Sequence, residues 1–243
     1  MRASNVFVLV VALFLIPMTT SAYSFSITNI ENYSWLSDLT PAGTEIANKV
    51  QYWLGTKAGW TEEFYHKDSA VKKEDFGTSN SGYQGLDESD FHWHIGHGLW
   101  NNMDIALSDY SPWNPWATVD SGDVWKKWDL NNEWVVFQSC YVLGDPYWGA
   151  ALKYSHMLLG FQTISYADSN LPEKFFEYAI DYDWPVFDAY KKATILVFES
   201  DVEATAFVDT QDQLNDHLWG QGYVAPDEYP DDSSVYYYHW NCE

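Results

Sequence analysis

Trp134-Val135-Val136-Phe137 is the stretch that most limits what this chain can become. Its side chains are all aromatic or β-branched, so it favours extended backbone. In a strand such a run points apolar groups to both faces, and both faces must then be covered. That is the condition of an inner strand in a parallel sheet. Phe25-Ser26-Ile27, Asp90 to Ile95, Gly160 to Ile164 and Ile195 to Glu199 read as further short strands. Between them lie helix-period segments. Ala42 to Leu54 follows Thr40 as N-cap and Pro41 at the first position, and Trp148 to Leu159 is amphipathic. Pro172 opens a helix from about Glu173 to Tyr182, and Pro185 opens one to Ala193. Alternating strands and helices predict an α/β fold, with a mainly parallel sheet and helices on both faces. With 243 residues, 47% of them hydrophobic, the chain supports one sizeable core.

Charge narrows the partners. Lys and Arg number 12 against 35 Asp and Glu, a formal net charge of −23. A surface of that sign repels phosphate backbones and anionic membranes, so nucleic acid is an unexpected partner. Basic peptides are compatible with it. The acids otherwise serve as a solvated shell for a chain that is 19% aromatic.

Residues 1–22 read as a signal peptide. Arg2 gives the positive start, Val6 to Pro17 is an apolar run, and Thr20-Ser21-Ala22 offers small residues for cleavage before Tyr23. The run is shorter than the 18–20 or so apolar residues of a membrane span, and no later segment is a candidate. The expected product is an exported, soluble domain over residues 23–243, ending in an acidic, aromatic tail. Asn32-Tyr33-Ser34 is a glycosylation sequon.

Two strand ends carry the chemistry. One is His92-Trp93-His94-Ile95-Gly96-His97-Gly98, the other Val135-Val136-Phe137-Gln138-Ser139-Cys140. In an open α/β sheet, ligands sit at the carboxyl ends of strands. There an imidazole can take the proton of a thiol, or stabilise the thiolate as imidazolium. Glycine after the histidine leaves room for substrate backbone, and the Gly98 and Cys140 N–H groups are candidate oxyanion donors.

These motifs resemble the caspase–gingipain–legumain superfamily of cysteine peptidases. Gly96-His97-Gly98 is similar to the strand-end motif of gingipain-like and separase-like members, and Gln138-Ser139-Cys140 to the Gln-Ala-Cys of caspases. The His97-to-Cys140 separation is near the roughly 50 residues of caspases. Trp148 through Thr163 also resembles a family of exported domains of unknown function with the same His/Cys arrangement. The resemblance covers about residues 90–200. It implies a caspase–hemoglobinase-like fold, a Cys140–His97 dyad and a peptide or protein substrate, with no cofactor and no metal. His94 and Gln138 stand beside the dyad as candidate supporting residues. The sequence departs from caspases after the cysteine, where Tyr141-Val142 replace the usual residues, and no specificity pocket can be carried over.

Other readings of the same residues stay open. Cys140 and Cys242 are the only cysteines, and an oxidising compartment would let them pair. The His92/His94/His97 run shares its spacing with zinc hydrolases of the metallo-β-lactamase type, although Gly96 stands where they need Asp. Trp113, Trp116, Trp125 and Trp128 either cover the core or give a non-catalytic module a stacking platform for glycan or peptide, with Trp113 and Trp116 its candidate residues. The acidic runs Asp120, Asp123, Asp129, Glu133 and Asp227, Glu228, Asp231, Asp232 could help bind calcium, but neither fits an EF-hand loop, and solvated acids are their expected state.

Overall fold

A computed structural model describes residues 23–79, 85–231 and 234–243. The signal-peptide reading of residues 1–22 lies outside the described residues. Ser24–Asn29 forms β1 and Thr61–Lys67 β2, with the helix Ala42–Val50 (α1) between them. Phe91–Ile95 is β3, Trp134–Gln138 is β6 and Met157–Phe161 is β7. A two-stranded hairpin, Ile105–Ala106 (β4) with Thr118–Val119 (β5), lies in the long connection from β3 to β6. Two helices, Asn170–Phe176 (α2) and Val186–Val197 (α3), lead to the last strands, Glu203–Val208 (β8) and Tyr236–Asn241 (β9).

The seven-stranded sheet runs β2-β1-β3-β6-β7-β8-β9. The first five strands in that order are parallel, and β8 and β9 join antiparallel. The sheet is therefore mixed, mainly parallel and flanked by helices, an α/β fold. The chain leaves β1 towards β2 and then crosses back to β3 on the other side of β1. The crevice at the carboxyl ends of β1 and β3 is thus the switch point where such sheets bind ligands.

The two faces are dressed differently. On one, Phe25, Ile27, Phe91, Trp93, Trp134, Val136, Met157 and Leu159 pack against Ile46 and Val50 of α1, Phe175 and Phe176 of α2, and Tyr190 of α3. Fully burying each large apolar side chain is worth roughly 1.5–3 kcal/mol, so this face is the main apolar core. The other face is covered by 3-10 turns, the hairpin and the tryptophan-rich segment. There Val135, Phe137 and Leu158 meet Phe76, Leu86, Trp128 and Trp148.

That second face carries a polar ladder. Ser26 pairs with His92 and Thr28 with His94 across β1 and β3. The Ser26 hydroxyl lies 2.8 Å from His92 Nδ1, the Thr28 hydroxyl 3.0 Å from His92 Nε2 and 2.9 Å from His94 Nδ1. Burial pushes both rings far from charge, His94 down to about 3. They are neutral core histidines.

Some elements differ from expectation. Trp148 to Leu159 is a 3-10 turn, Pro146–Ala151, followed by β7 rather than one helix. Met157, Leu158 and Leu159 alternate between two buried faces, so their apolar run carries no strand period. Ile195 to Glu199 continues and ends α3, and the strand of that region is β8. Thr40 does not cap α1. Its hydroxyl donates to Asn32 Oδ1, while the buried Glu31 carboxylate accepts from the Thr44 N–H and hydroxyl at 2.7 and 2.8 Å. Among the described residues no helix is long and apolar enough to cross a membrane.

Candidate active site

β3 and β6 are neighbours in register, with Ile95 opposite Gln138. Their carboxyl ends therefore carry His97 and Cys140 to the same edge, beside the loop that follows β1. His97, Cys140, Gly96, Gln138, Ser139, Ser165, Tyr166, Ala167 and Leu39 line one cleft of about 40 Å³. That is little more than the volume of one water, so it admits only a small group from outside.

The glycines let the strand ends meet. A Cβ on Gly98 would stand 1.8 Å from the Cys140 carbonyl oxygen, and one on Gly96 would stand 2.8 Å from both Tyr33 Oη and His94 Nε2. The Ser139 hydroxyl donates to the Gly96 carbonyl at 2.8 Å and fastens the two turns. Gly98 lies opposite Ile105, flanked by the bonds Leu99 N–H to Asp104 O and Ala106 N–H to His97 O. Its own N–H takes no part in that ladder. Tyr141, directly after the cysteine, adopts φ 64°, a left-handed conformation uncommon for a bulky residue and typical of strained functional turns.

His97 is half-buried. Its Nε2 lies 2.8 Å from the Ser37 carbonyl, which can only accept, so Nε2 carries the proton and Nδ1 is the basic atom. The Tyr33 hydroxyl accepts the His97 backbone N–H at 2.7 Å, and the two rings pack 4.9 Å apart. Burial raises the Tyr33 phenol far above its ordinary range, so it stays protonated. Cys140 is half-buried and its thiol is free. Sγ lies 3.1 Å from the Ser165 carbonyl and accepts the Ser165 N–H at 3.3 Å. Cys242 is also free, buried at the far end of β9, so the two cysteines are not joined.

The supporting residues divide. Gln138 binds the loop that holds Cys140: its amide accepts from Trp93 Nε1 at 3.2 Å and donates to the Tyr166 and Asp168 carbonyls at 3.4 and 3.0 Å. His94 stays wholly inside, under Gly96. Tyr33, Ser37 and Ser165 went unseen in the sequence, since two of them act largely through backbone atoms.

The histidine run is no metal cluster among the described residues. Both ring nitrogens of His92 are taken by hydroxyls, and the groups of clustered metal-type ligands lie elsewhere. The tryptophans also divide. Trp128 is buried and donates to the Phe76 carbonyl at 2.8 Å, as a core cover would. Trp113 and Trp116 are 86% and 82% exposed, and Trp35 leans on Trp113 at 6.3 Å. Trp116 borders a groove of about 450 Å³ shared with Ser69, Lys72, Lys73 and Ser108. Ser69 and Ser108 also border a neighbouring hollow that reaches Tyr33, the residue packed on His97. One exposed indole, Trp116, thus lines a groove whose neighbouring hollow touches Tyr33.

No curated protein matches the chain. A solved structure titled "structure of pro-sf-caspase-1" is similar at a TM-score of 0.45 and 12% identity, over 74% of this chain and 83% of its own. A likeness of that size transfers no residue's role. The family described as "Domain of unknown function (DUF6345)" matches residues 27–241. The chain belongs to the DUF6345 family.

Proposed function

We propose that this domain is an exported cysteine peptidase with Cys140 as nucleophile and His97 as its base. The observation that carries this reading is the Ser37 carbonyl on His97 Nε2, which leaves Nδ1 as proton acceptor in a cleft shared with a free thiol. The carbonyl acts as the third, orienting group of a nucleophile–base pair.

In the reaction the Cys140 thiol gives its proton to His97 and loses its bond to the Ser165 carbonyl, while the Ser165 N–H continues to donate to sulfur. The thiolate attacks the scissile carbonyl, and the Gly98 and Cys140 N–H groups receive the oxyanion. Imidazolium returns the proton to the leaving amine, and water then hydrolyses the thioester. The substrate is a peptide or protein lying along the tryptophan-lined groove. A basic segment suits the net charge of the whole chain, whereas the groove carries both signs, Lys72 and Lys73 beside Glu74 and Asp109.

The test is cleavage of a peptide library by the purified mature protein, compared with Cys140→Ala and His97→Ala. Each variant should lose at least about a thousandfold in turnover. Full turnover in either would overturn the reading. The exposure of Trp113 and Trp116 favours a second one, a non-catalytic glycan- or peptide-binding module. It predicts binding unchanged by Cys140→Ala and lost with Trp113→Ala.

A further inference from the structure

The opposite end of the sheet gathers a second set of titratable groups. Glu133 precedes β6, His156 precedes β7, and Asp209 follows the antiparallel β8, so all three reach the amino edge of the parallel strands. Asp227, Glu228 and Asp231 approach them from the segment before β9.

Two groups of ligand-type atoms form there, Glu133–His156–Asp227 and Asp209–Glu228–Asp231, each with its atoms within 4.8 Å of one another. The first is an ion-pair cluster. His156 Nδ1 lies 2.6 Å from Asp216, and Nε2 lies 3.2 Å from Glu133 and 3.3 Å from Asp227. Burial opposes its charge, but hydrogen bonds to Asp216 and Asp227 and the Glu133 charge push it up to about 10. An imidazolium has no lone pair to give a metal.

The second group is different. Asp209 is 1% exposed, and neither of its carboxylate oxygens has a well-formed hydrogen bond among the described residues, the Gln213 amide being the one donor beside it. A buried carboxylate so short of well-formed donors is costly. Lys126 pairs with Asp231 at 3.0 Å. Two oxygens held at 2.3–2.6 Å by one ion stand at most about 5 Å apart, which this spacing satisfies.

We propose that Asp209, Glu228 and Asp231 bind a divalent cation of the calcium type. All three ligands are hard oxygens, and the absence of nitrogen or sulfur from the set argues against zinc. Water completes the coordination. The ion satisfies Asp209 and fastens the segment before β9 to the end of β8. The site lies across the sheet from Cys140 and does not depend on the peptidase reading.

The test uses the full chain, stripped with a chelator, at neutral pH and constant ionic strength. Thermal unfolding is followed as calcium chloride rises to about 10 mM, with magnesium chloride as the control for charge screening. Calcium should raise the Tm saturably and magnesium much less. Asp209→Asn should abolish the rise, and its own Tm in chelator should be no lower than that of the parent. Asp201→Asn, an exposed acid elsewhere, should keep the response. Equilibrium dialysis with radioactive calcium should find one ion per chain, bound about tenfold or more weaker by Glu228→Gln. Dialysis with Glu228→Gln decides the matter should Asp209→Asn fail to fold. No shift in the parent, an equal shift with magnesium, or parental calcium affinity in Glu228→Gln would each overturn the proposal.

Discussion

His97 and His156 sit at opposite ends of the same sheet and have opposite characters. His97 is half-buried and its one firm ring partner is a carbonyl, which fixes a tautomer without fixing a charge. His156 is fully buried and held by Asp216, Glu133 and Asp227, which push it up to about 10, so it is charged at neutral pH. Burial alone does not make a histidine inert or reactive. The number of carboxylates that reach it decides between a base and a structural charge. His92 and His94, surrounded by hydroxyls and aromatic rings, form a third kind that stays neutral.

The largest expected effect tests the charged end. His156→Gln leaves Asp216, itself wholly buried, beside other carboxylates without their cation. It should cost about 3–5 kcal/mol in urea unfolding. A loss under about 1 kcal/mol would mean that His156 is no clamp.

Next, Gly98→Ala pushes a methyl group against the Cys140 carbonyl. Backbone there cannot give way as a side chain could, so unfolding free energy should fall by about 1–3 kcal/mol, with turnover lost. Unchanged turnover would show that the close approach of the two strand ends is unnecessary.

The neutral pair is tested through pH. The folded-state value of His94, about 3, lies below its ordinary 6.5. Between those values the unfolded chain holds a proton that the folded chain lacks. Stability is full above about pH 6.5 and falls on acidification at about 1.4 kcal/mol per pH unit for one such group. His94→Gln should flatten the slope by that amount between about pH 4 and 6. Asp87, which burial pushes up to about 7, pulls the opposite way, losing its contribution as pH rises through that value. The slope difference between parent and variant is therefore the informative quantity. An unchanged slope would mean that His94 protonates in the folded state.

The smallest effect belongs to the rim. Trp113→Ala should leave stability within about 0.5 kcal/mol and raise KM with kcat unchanged. A fall in kcat alone would assign the indole to the reacting centre.

How much of this was legible in the sequence follows from which atoms do the work. The continuous apolar run before Cys140 and the aromatic–histidine strand before His97 announced both strand ends, because burial on two faces leaves a direct trace in composition. β7 leaves the same kind of trace, but its first three residues fall in the helix reading and only Gly160 and Phe161 in the strand reading, since a run with no polar position has no period. β8 alternates Ala204, Ala206 and Val208 with Glu203, Thr205 and Phe207, a faint pattern beside the louder Ile195 to Phe198 that ends α3. The Ser37 and Ser165 carbonyls left no trace, because every residue has one. Asp209 was one acid among 35 until the sheet brought it to Glu228 and Asp231.

The cleft is assembled from distant parts of the chain. His97 is oriented from 60 residues upstream, and Cys140 is held from 25 residues downstream. Parallel pairing of this kind forms slowly, because loop closure comes before the contacts that reward it. A ribosome that has released the chain only as far as Cys140 has exposed thiol and imidazole without the Ser165 loop. Nascent chains and early folding intermediates therefore carry the ingredients of the site without its geometry. Completion of the sheet is itself a delay, placed between synthesis and the first moment at which the thiol could act.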